Sequence, residues 1–203
     1  MINISKMENM PKDGPRSPLE PIPETALPLP FDDYFLSSLK PSDFPRLVEL
    51  YNSDLAFILL SPPYPYTFDD AQWFNDNRAH TRFPSYPETQ EAWVIRSKPH
   101  NGILVGICGT HPVPGQSGHH FKLGYFLAPE FRGKGIMPTV VTEVLKKFPG
   151  AIFDAEAEVA NLGSQKVLEK CGFQYIEGGN FEETWPVSKG GEVRQILKFV
   201  KQC

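Results

Sequence analysis

Residues 123–148 restrict what this chain can fold into more than any other part of it. Leu123, Tyr125 and Leu127 alternate with Gly124, Phe126 and Ala128, and the run is apolar on both faces. That pattern suits a strand buried on both sides. Pro129 ends it, because proline cannot donate to a ladder. Gly133 and Gly135 follow, and then Val140, Val141, Val144, Leu145 and Phe148 recur at helical spacing. Strand, glycine loop and helix in that order have a chemical consequence. The first turn of a helix carries backbone N–H groups with no partner inside the helix, and the macrodipole adds partial positive charge there. Glycines at 133 and 135 let the backbone approach a ligand without a Cβ in the way. Arg132 and Lys134 add cationic charge beside them. The stretch Arg132, Gly133, Lys134, Gly135, Ile136, Met137 therefore reads as an anion cradle suited to a phosphate or pyrophosphate. Taken alone, it leaves open a turn whose glycines do nothing more, since a short Gly-x-Gly is weak.

The downstream sequence narrows the choice. Residues 151–159 alternate with period two, as a strand does. Asn161 is a good helix N-cap and Gly172 a good helix stop, so 161–172 reads as a capped helix. With Asn161, Ser164, Val167, Leu168, Glu169, Lys170, Gly172 and Phe173 in place after the Arg-Gly-Lys-Gly loop, the chain resembles the general N-acetyltransferase (GNAT) superfamily. It is most similar to the branch containing the ribosomal-protein N-terminal acetyltransferases. The resemblance spans roughly 31–203 and is strongest over 122–175.

That resemblance implies several things. The fourth and fifth strands splay apart, and acetyl-CoA inserts its pantetheine arm between them like an extra strand. Residues 132–137 hold its pyrophosphate. Backbone N–H groups near Phe126 and Leu127 steady the oxyanion. Ser164, one helical turn after Asn161, donates a hydrogen bond or proton to the departing thiolate, and Asn161 holds the cofactor arm or an ordered water. The reaction itself asks for a carboxylate, often through water, to take the proton from the ammonium. The alternative for Ser164 and Asn161 is a purely capping role.

Three positions depart from the family pattern. Glu130 stands where Gln or Arg is usual. Lys122 stands near where an acidic residue is usual at the start of the central strand, which leaves the base unidentified. Leu168 occupies the position of a tyrosine acid. Glu182 and Glu183 are weak candidates for the base, with surface solvation the competing role.

Composition sets the outer limits. At 203 residues, with 40% hydrophobic and 22% charged residues, the chain suits one globular domain. A formal charge of -4 with dispersed basic residues gives no electrostatic case for nucleic acid or an anionic membrane. No apolar run reaches the length of a membrane span, and no signal-peptide pattern opens the chain. Cys108, Cys171 and Cys203 are odd in number and lack metal spacing, so free thiols in a reducing, cytoplasmic setting are expected, with no metal site. Seven prolines between 11 and 30 mark residues 1–30 as an arm, flexible or laid on the surface, ahead of a domain over 31–203.

Elsewhere, residues 31–36 read as the first strand. Pro41-Ser42-Asp43 reads as a helix start, 54–60 as a short helix, and Thr67 to Asp70 as the cap of another helix carrying Trp73 and Phe74. Tyr64, Tyr66, Phe68, Trp73 and Phe74 either line an acceptor pocket or close the core. Residues 91–96 and 104–110 form a hairpin about Asn101-Gly102, and 111–120 is a polar loop. Residues 174–176 and 193–200 are the last strands, with a loop between them. The expected fold is a mixed α/β sheet of about six or seven strands with helices on both faces. The expected activity is acetyl-CoA-dependent N-acetylation of a primary amine, on a protein or a small molecule, by a monomer or homodimer. One competitor is a non-catalytic acyl-CoA-binding module. A nucleotide enzyme using the same loop fits poorly, because no Gly-x-x-x-x-Gly-Lys-Ser/Thr stretch is present.

Overall fold

The computed structural model describes residues 27–116 and 118–203. Its strands are β1 (Leu27–Pro28), β2 (Tyr34–Ser37), β3 (Ala92–Ser97), β4 (Ile103–Pro112), β5 (His120–Leu127), β6 (Ile152–Glu158), β7 (Gln174–Tyr175), β8 (Phe181–Thr184) and β9 (Val193–Gln202). The helices are α1 (Phe44–Tyr51), α2 (Leu55–Ile58), α3 (Phe68–Phe74), α4 (Ile136–Leu145) and α5 (Leu162–Lys170). The strands make one mixed sheet in the order β1-β2-β3-β4-β5-β6-β9-β7, with β8 also on β9. Among these strands only β5 and β6 run parallel, joined by the crossover that contains α4.

The two faces are covered by different helices. Phe126 turns its ring to Tyr51 of α1, 5.1 Å between centroids, so α1 and α3 lie on that face. Tyr125 points the other way and reaches Ser164 of α5. There α4 and α5 pack together, with the Cys171 thiol donating to the Pro138 carbonyl at 3.3 Å. Beneath the β5 to β6 crossover, Phe83, Tyr86, Phe121, Phe148 and Phe153 form a cluster with neighbouring ring centroids 4.9–5.9 Å apart. Each such buried ring stabilises the fold by about 1.5–3 kcal/mol relative to exposure.

Most elements lie where the residues predict them. α3 starts on a capping box, with Thr67 Oγ1 accepting from Asp70 N and Asp70 accepting from Thr67 N. α5 is capped by Asn161 and stopped at Gly172, whose φ is +77°. The β3–β4 hairpin turns through Asn101 and Gly102, both at positive φ.

The differences have physical causes. Residues 31–33 are a turn closed by Tyr34 N to Phe31 O at 3.3 Å, so the strand begins later than the aromatic run suggests. His111 and His120 belong to β4 and β5 rather than to a loop, because the two strands pair as far as His111 with Lys122 and Pro112 with Phe121. Glu182 and Glu183 lie on β8 rather than in a loop, paired with β9. Their charged run hides a strand that is exposed on alternate residues. Among the described residues nine strands therefore replace the expected six or seven, two of them only two residues long. One of these, Leu27–Pro28, pairs with β2, so the sheet begins inside the segment read as an arm. The rest of that reading, residues 1–26, lies outside the described residues.

A buried ion pair fixes the first layer. Arg96 of β3 donates to both carboxylate oxygens of Asp43 at 2.8 and 2.7 Å, to Ser37 Oγ and to the Ser38 and Gly102 carbonyls. Asp43 also accepts from Lys40 N. Every polar atom so buried needs a partner, and this pair supplies them at the foot of α1.

Candidate active site

The central feature is a parting of the sheet. β5 and β6 pair from His120 with Ile152 to Leu123 with Ala155 and no further. β5 runs on to Leu127 and β6 to Glu158, so the two strands separate beyond Leu123. The expected splay of the fourth and fifth strands, counted from Tyr34–Ser37, is this one.

The separation exposes backbone groups selectively. In an antiparallel ladder, successive N–H groups point to opposite neighbours. Ala128 N donates to Val105 O, and Phe126 lies opposite Ile107 in the same ladder. Phe126 N–H therefore faces β4. The N–H groups of Tyr125 and Leu127 face the gap. Leu127 O faces the gap too, and accepts from Arg132 Nε at 3.0 Å.

At the end of β5 the chain turns through Gly133 (φ +76°) and Gly135 (φ +75°) into α4. A Cβ on either glycine would meet nothing within 4 Å, so their backbone is open and only their conformation demands glycine. α4 has no side-chain cap, and Pro138 brings no N–H of its own. The N–H groups of Ile136 and Met137 thus stand at the helix N-terminus with no side chain satisfying them, and both side chains are buried beneath it. Arg132 and Lys134 are exposed beside the loop, and Lys134 Nζ lies 5.3 Å from the Phe131 ring centre. Glu130 is drawn away, paired with Arg46 at 2.6 Å. The loop presents donors and positive charge to whatever lies at the mouth of the gap.

On the α4–α5 face of the gap, Asn161 Oδ1 accepts from Ser164 N at 3.0 Å. Tyr125 Oη sits 2.9 Å from Ser164 Oγ and 3.1 Å from Ser164 O. Burial pushes the Tyr125 phenol well above the ordinary tyrosine range, so it stays protonated at neutral pH. Leu168 is fully buried and brings no hydroxyl. Tyr125 was missed by the sequence reading because its partner is 39 residues away on another element, with no local signal. The nearby Cys108 and Cys171 thiols are pushed up by burial and so stay thiols.

The opposite face of the gap is polar. Gly109 and Gly124 leave a shallow floor there, and the imidazole of His111 lies over it, 3.3 and 3.8 Å from where their Cβ atoms would be. His111 Nδ1 is 2.7 Å from Glu91 Oε1 and 2.9 Å from Arg78 Nη2, and Arg78 also pairs with Glu91. Lys122 meets Glu156 at 2.5 Å, and Arg194 meets Glu158 at 3.1 Å. Of the five candidate pocket aromatics, Tyr66 is buried against Tyr51, 4.7 Å between centroids, and Phe74 packs on the core. Phe68 and Trp73 are 56% and 50% exposed. Glu182 is exposed and accepts from Gln195 Nε2 at 2.8 Å. Among the described residues no group of three or more His, Cys, Asp or Glu could hold a metal ion, and no helix is long and apolar enough to cross a membrane.

A family model for the acetyltransferase (GNAT) domain matches residues 34–174. The chain belongs to the GNAT family. No curated protein matches it in sequence. Solved GNAT structures share its fold. A ribosomal L7/L12 alpha-N-protein acetyltransferase in complex with coenzyme A superposes at TM-score 0.69 with 17% identity, covering 90% of this chain and 98% of that one. A ribosomal-protein-alanine N-acetyltransferase from Brucella melitensis gives 0.64 at 20% identity, over 83% and 99% of the two chains. A spermidine N-acetyltransferase from Vibrio cholerae, in complex with CoA and spermine, gives 0.62 at 16% identity, over 85% and 96%. At such identities the likeness concerns the GNAT fold itself.

Proposed function

We propose that the protein transfers an acetyl group from acetyl-CoA to a primary amine, at a protein N-terminus or on a small molecule. The observation that carries this is the parting of β5 and β6 beyond Leu123, opening directly beside the Gly133–Gly135 loop. The residues present fit the co-substrate. N–H groups of Ile136 and Met137, with Arg132 and Lys134, would hold the pyrophosphate. The pantetheine arm is about as long as four residues of extended chain. Counted back from Ala128, that length brings the thioester to Gly124 and Tyr125. The Tyr125 and Leu127 amides then pair with the arm, and the Tyr125 N–H is the donor best set for an oxyanion. Phe126 serves by packing rather than by its amide.

The chemistry makes a C–N bond and breaks a C–S bond. Ser164 Oγ–H, steadied by the Tyr125 phenol, donates to the leaving sulfur, and Asn161 holds the first turn of α5 in place. Three free thiols suit a reducing compartment such as the cytoplasm. Thiol release from acetyl-CoA in the presence of peptides with free N-termini and of polyamines tests the reading. Amine-dependent release is expected; tight acetyl-CoA binding with no release under any amine would mark a binding module instead.

A further inference from the structure

The acetyltransferase reading leaves the acceptor's proton without a taker. The position where the family resemblance implies an acidic residue holds Lys122, bound to Glu156, and the two weak candidates, Glu182 and Glu183, lie on β8. We propose that His111 is the general base, with Glu91 and Arg78 as its positioning residues. The proposal rests on the acetyltransferase reading of the same site.

Four observations carry it. First, His111 is at the right place: it opposes Lys122 on β5 and lies over Gly124, where the pantetheine length puts the thioester. Second, it is on the right face. Ser164 and Tyr125 attend the sulfur from the α4–α5 side, while His111 lies on the α1–α3 side, so an amine entering there meets the thioester with the base behind it. Third, the space is reserved. Gly109 and Gly124 are both without side chains beneath the ring, and a Cβ at Gly109 would press on it at 3.3 Å. Fourth, the ring is held as a base needs to be held. Glu91 is only 4% exposed, and a buried carboxylate requires donors. Arg78, which can only donate, gives its N–H to Glu91 rather than to His111 Nδ1 2.9 Å away, and His111 Nδ1–H at 2.7 Å supplies the other donor, a length typical of a charge-assisted bond. A carboxylate oxygen accepts both. With its proton on Nδ1, His111 keeps a lone pair on Nε2, which lies 3.3 and 3.8 Å from where the Gly109 and Gly124 Cβ atoms would stand. The charged groups facing the ring are Arg78 and Glu91 from its flank and Lys122 from β5.

The proton balance closes. The acceptor enters as its neutral amine, its ammonium proton already given to solvent; as the amine nitrogen bonds to the acetyl carbon, His111 Nε2 takes one proton from that nitrogen. The C–S bond breaks with its electron pair on sulfur, and Ser164 Oγ supplies the proton that completes the thiol. His111 returns its proton to water on its side of the sheet, and Ser164 regains one from water on the other. The net change is amine plus acetyl-CoA to acetamide plus CoA thiol.

The test uses the full chain with spermine and a short peptide bearing a free alanine N-terminus as acceptors. His111→Gln should lower kcat/KM by about a hundredfold or more, the range for losing a general base. Its acetyl-CoA affinity by calorimetry and its melting temperature should stay near wild type. The part of the acid limb of the wild-type kcat/KM profile that stays in place when spermine is exchanged for the peptide, and so is not the acceptor's own ammonium, should vanish in the variant, and added imidazole should restore part of the rate to His111→Ala. Turnover within about threefold of wild type, or persistence of that acceptor-independent limb in His111→Gln, would overturn the assignment. Wild-type protein that binds acetyl-CoA but releases no thiol with either amine would overturn the activity reading beneath it, and this assignment with it.

Discussion

The hydroxyls of Tyr125 and Ser164 lie 2.9 Å apart, joining the central strand to the first turn of α5 at the point where β5 and β6 have just separated. Tyr125 can donate its single proton to Ser164 Oγ, which frees the serine hydrogen for a sulfur in the gap. A group that acts on the leaving thiolate contributes in the transition state and little in the ground state. Ser164→Ala should therefore cut turnover about ten- to a thousandfold while acetyl-CoA affinity moves little. Tyr125→Phe should show a smaller loss of the same kind, since it removes only the support. Steady-state kinetics with calorimetry on both variants checks this, and full turnover in Ser164→Ala would make the serine a mere helix-face hydroxyl.

Asn161 acts differently. Its side chain satisfies Ser164 N, one of the unpaired donors at the start of α5. Asn161→Ala should lower stability by about 1 kcal/mol and raise the KM for acetyl-CoA as the first turn loosens. Melting curves and kinetics together separate it from Ser164→Ala, which should change the rate with little change in melting temperature.

Gly135 tests the cradle. Its φ of +75° is open to glycine, and no atom lies within 4 Å of where a Cβ would stand, so a valine there meets strain rather than a clash. A residue with a Cβ pays about 1–2 kcal/mol in that conformation, and the loop is expected to shift to relieve it. Gly135→Val should fold, with nearly unchanged far-ultraviolet circular dichroism, and bind acetyl-CoA far more weakly. Unchanged affinity measured by calorimetry would remove the loop from the binding site.

Gly106 is needed for packing. A Cβ there would fall 2.5 Å from the Phe126 carbonyl oxygen, a backbone atom that cannot step aside without disturbing the β4–β5 ladder. Gly106→Ala should destabilise the protein by about 1–3 kcal/mol, seen as a lower denaturation midpoint. A midpoint equal to wild type would mean the ladder tolerates the shift.

Lys189 gives a pH signature. Its Nζ is buried and donates to the Leu59 and Leu60 carbonyls at 2.5 and 3.1 Å, and burial lowers its pKa to about 8. A lysine whose folded pKa is depressed binds fewer protons folded than unfolded. The cost of keeping it charged in the folded state is full below pH 8 and relieved as pH rises from about 8 toward the ordinary lysine value of 10.5. The neutral amine keeps two hydrogens for its two carbonyls. Wild type should thus gain stability relative to Lys189→Met over that window, measured as the difference between their unfolding free energies at each pH. A difference that stays flat or falls would contradict the burial argument.

Much of this protein was legible along the chain, because the signals involved span only a few residues. Helix caps reach three or four positions, as Thr67 to Asp70 and Asn161 to Ser164 do, and glycines at positive φ declare their own turns. Strand alternation over 123–128 and 151–159 and the glycines between them were enough to place the turn into α4 and the start of α5. What the tertiary structure decided are relationships across the sheet. The contact of Tyr125 with Ser164, the meeting of His111, Glu91 and Arg78 over Gly124, and the pairing of β8 with β9 all join residues distant in sequence. Which residues meet there depends on strand register, and a slip of one residue sends every side chain to the other face. The same alternation turns the Tyr125 and Leu127 amides, and not that of Phe126, into the gap. No local pattern records that choice, since it is made by which neighbour each strand pairs with and where that pairing stops.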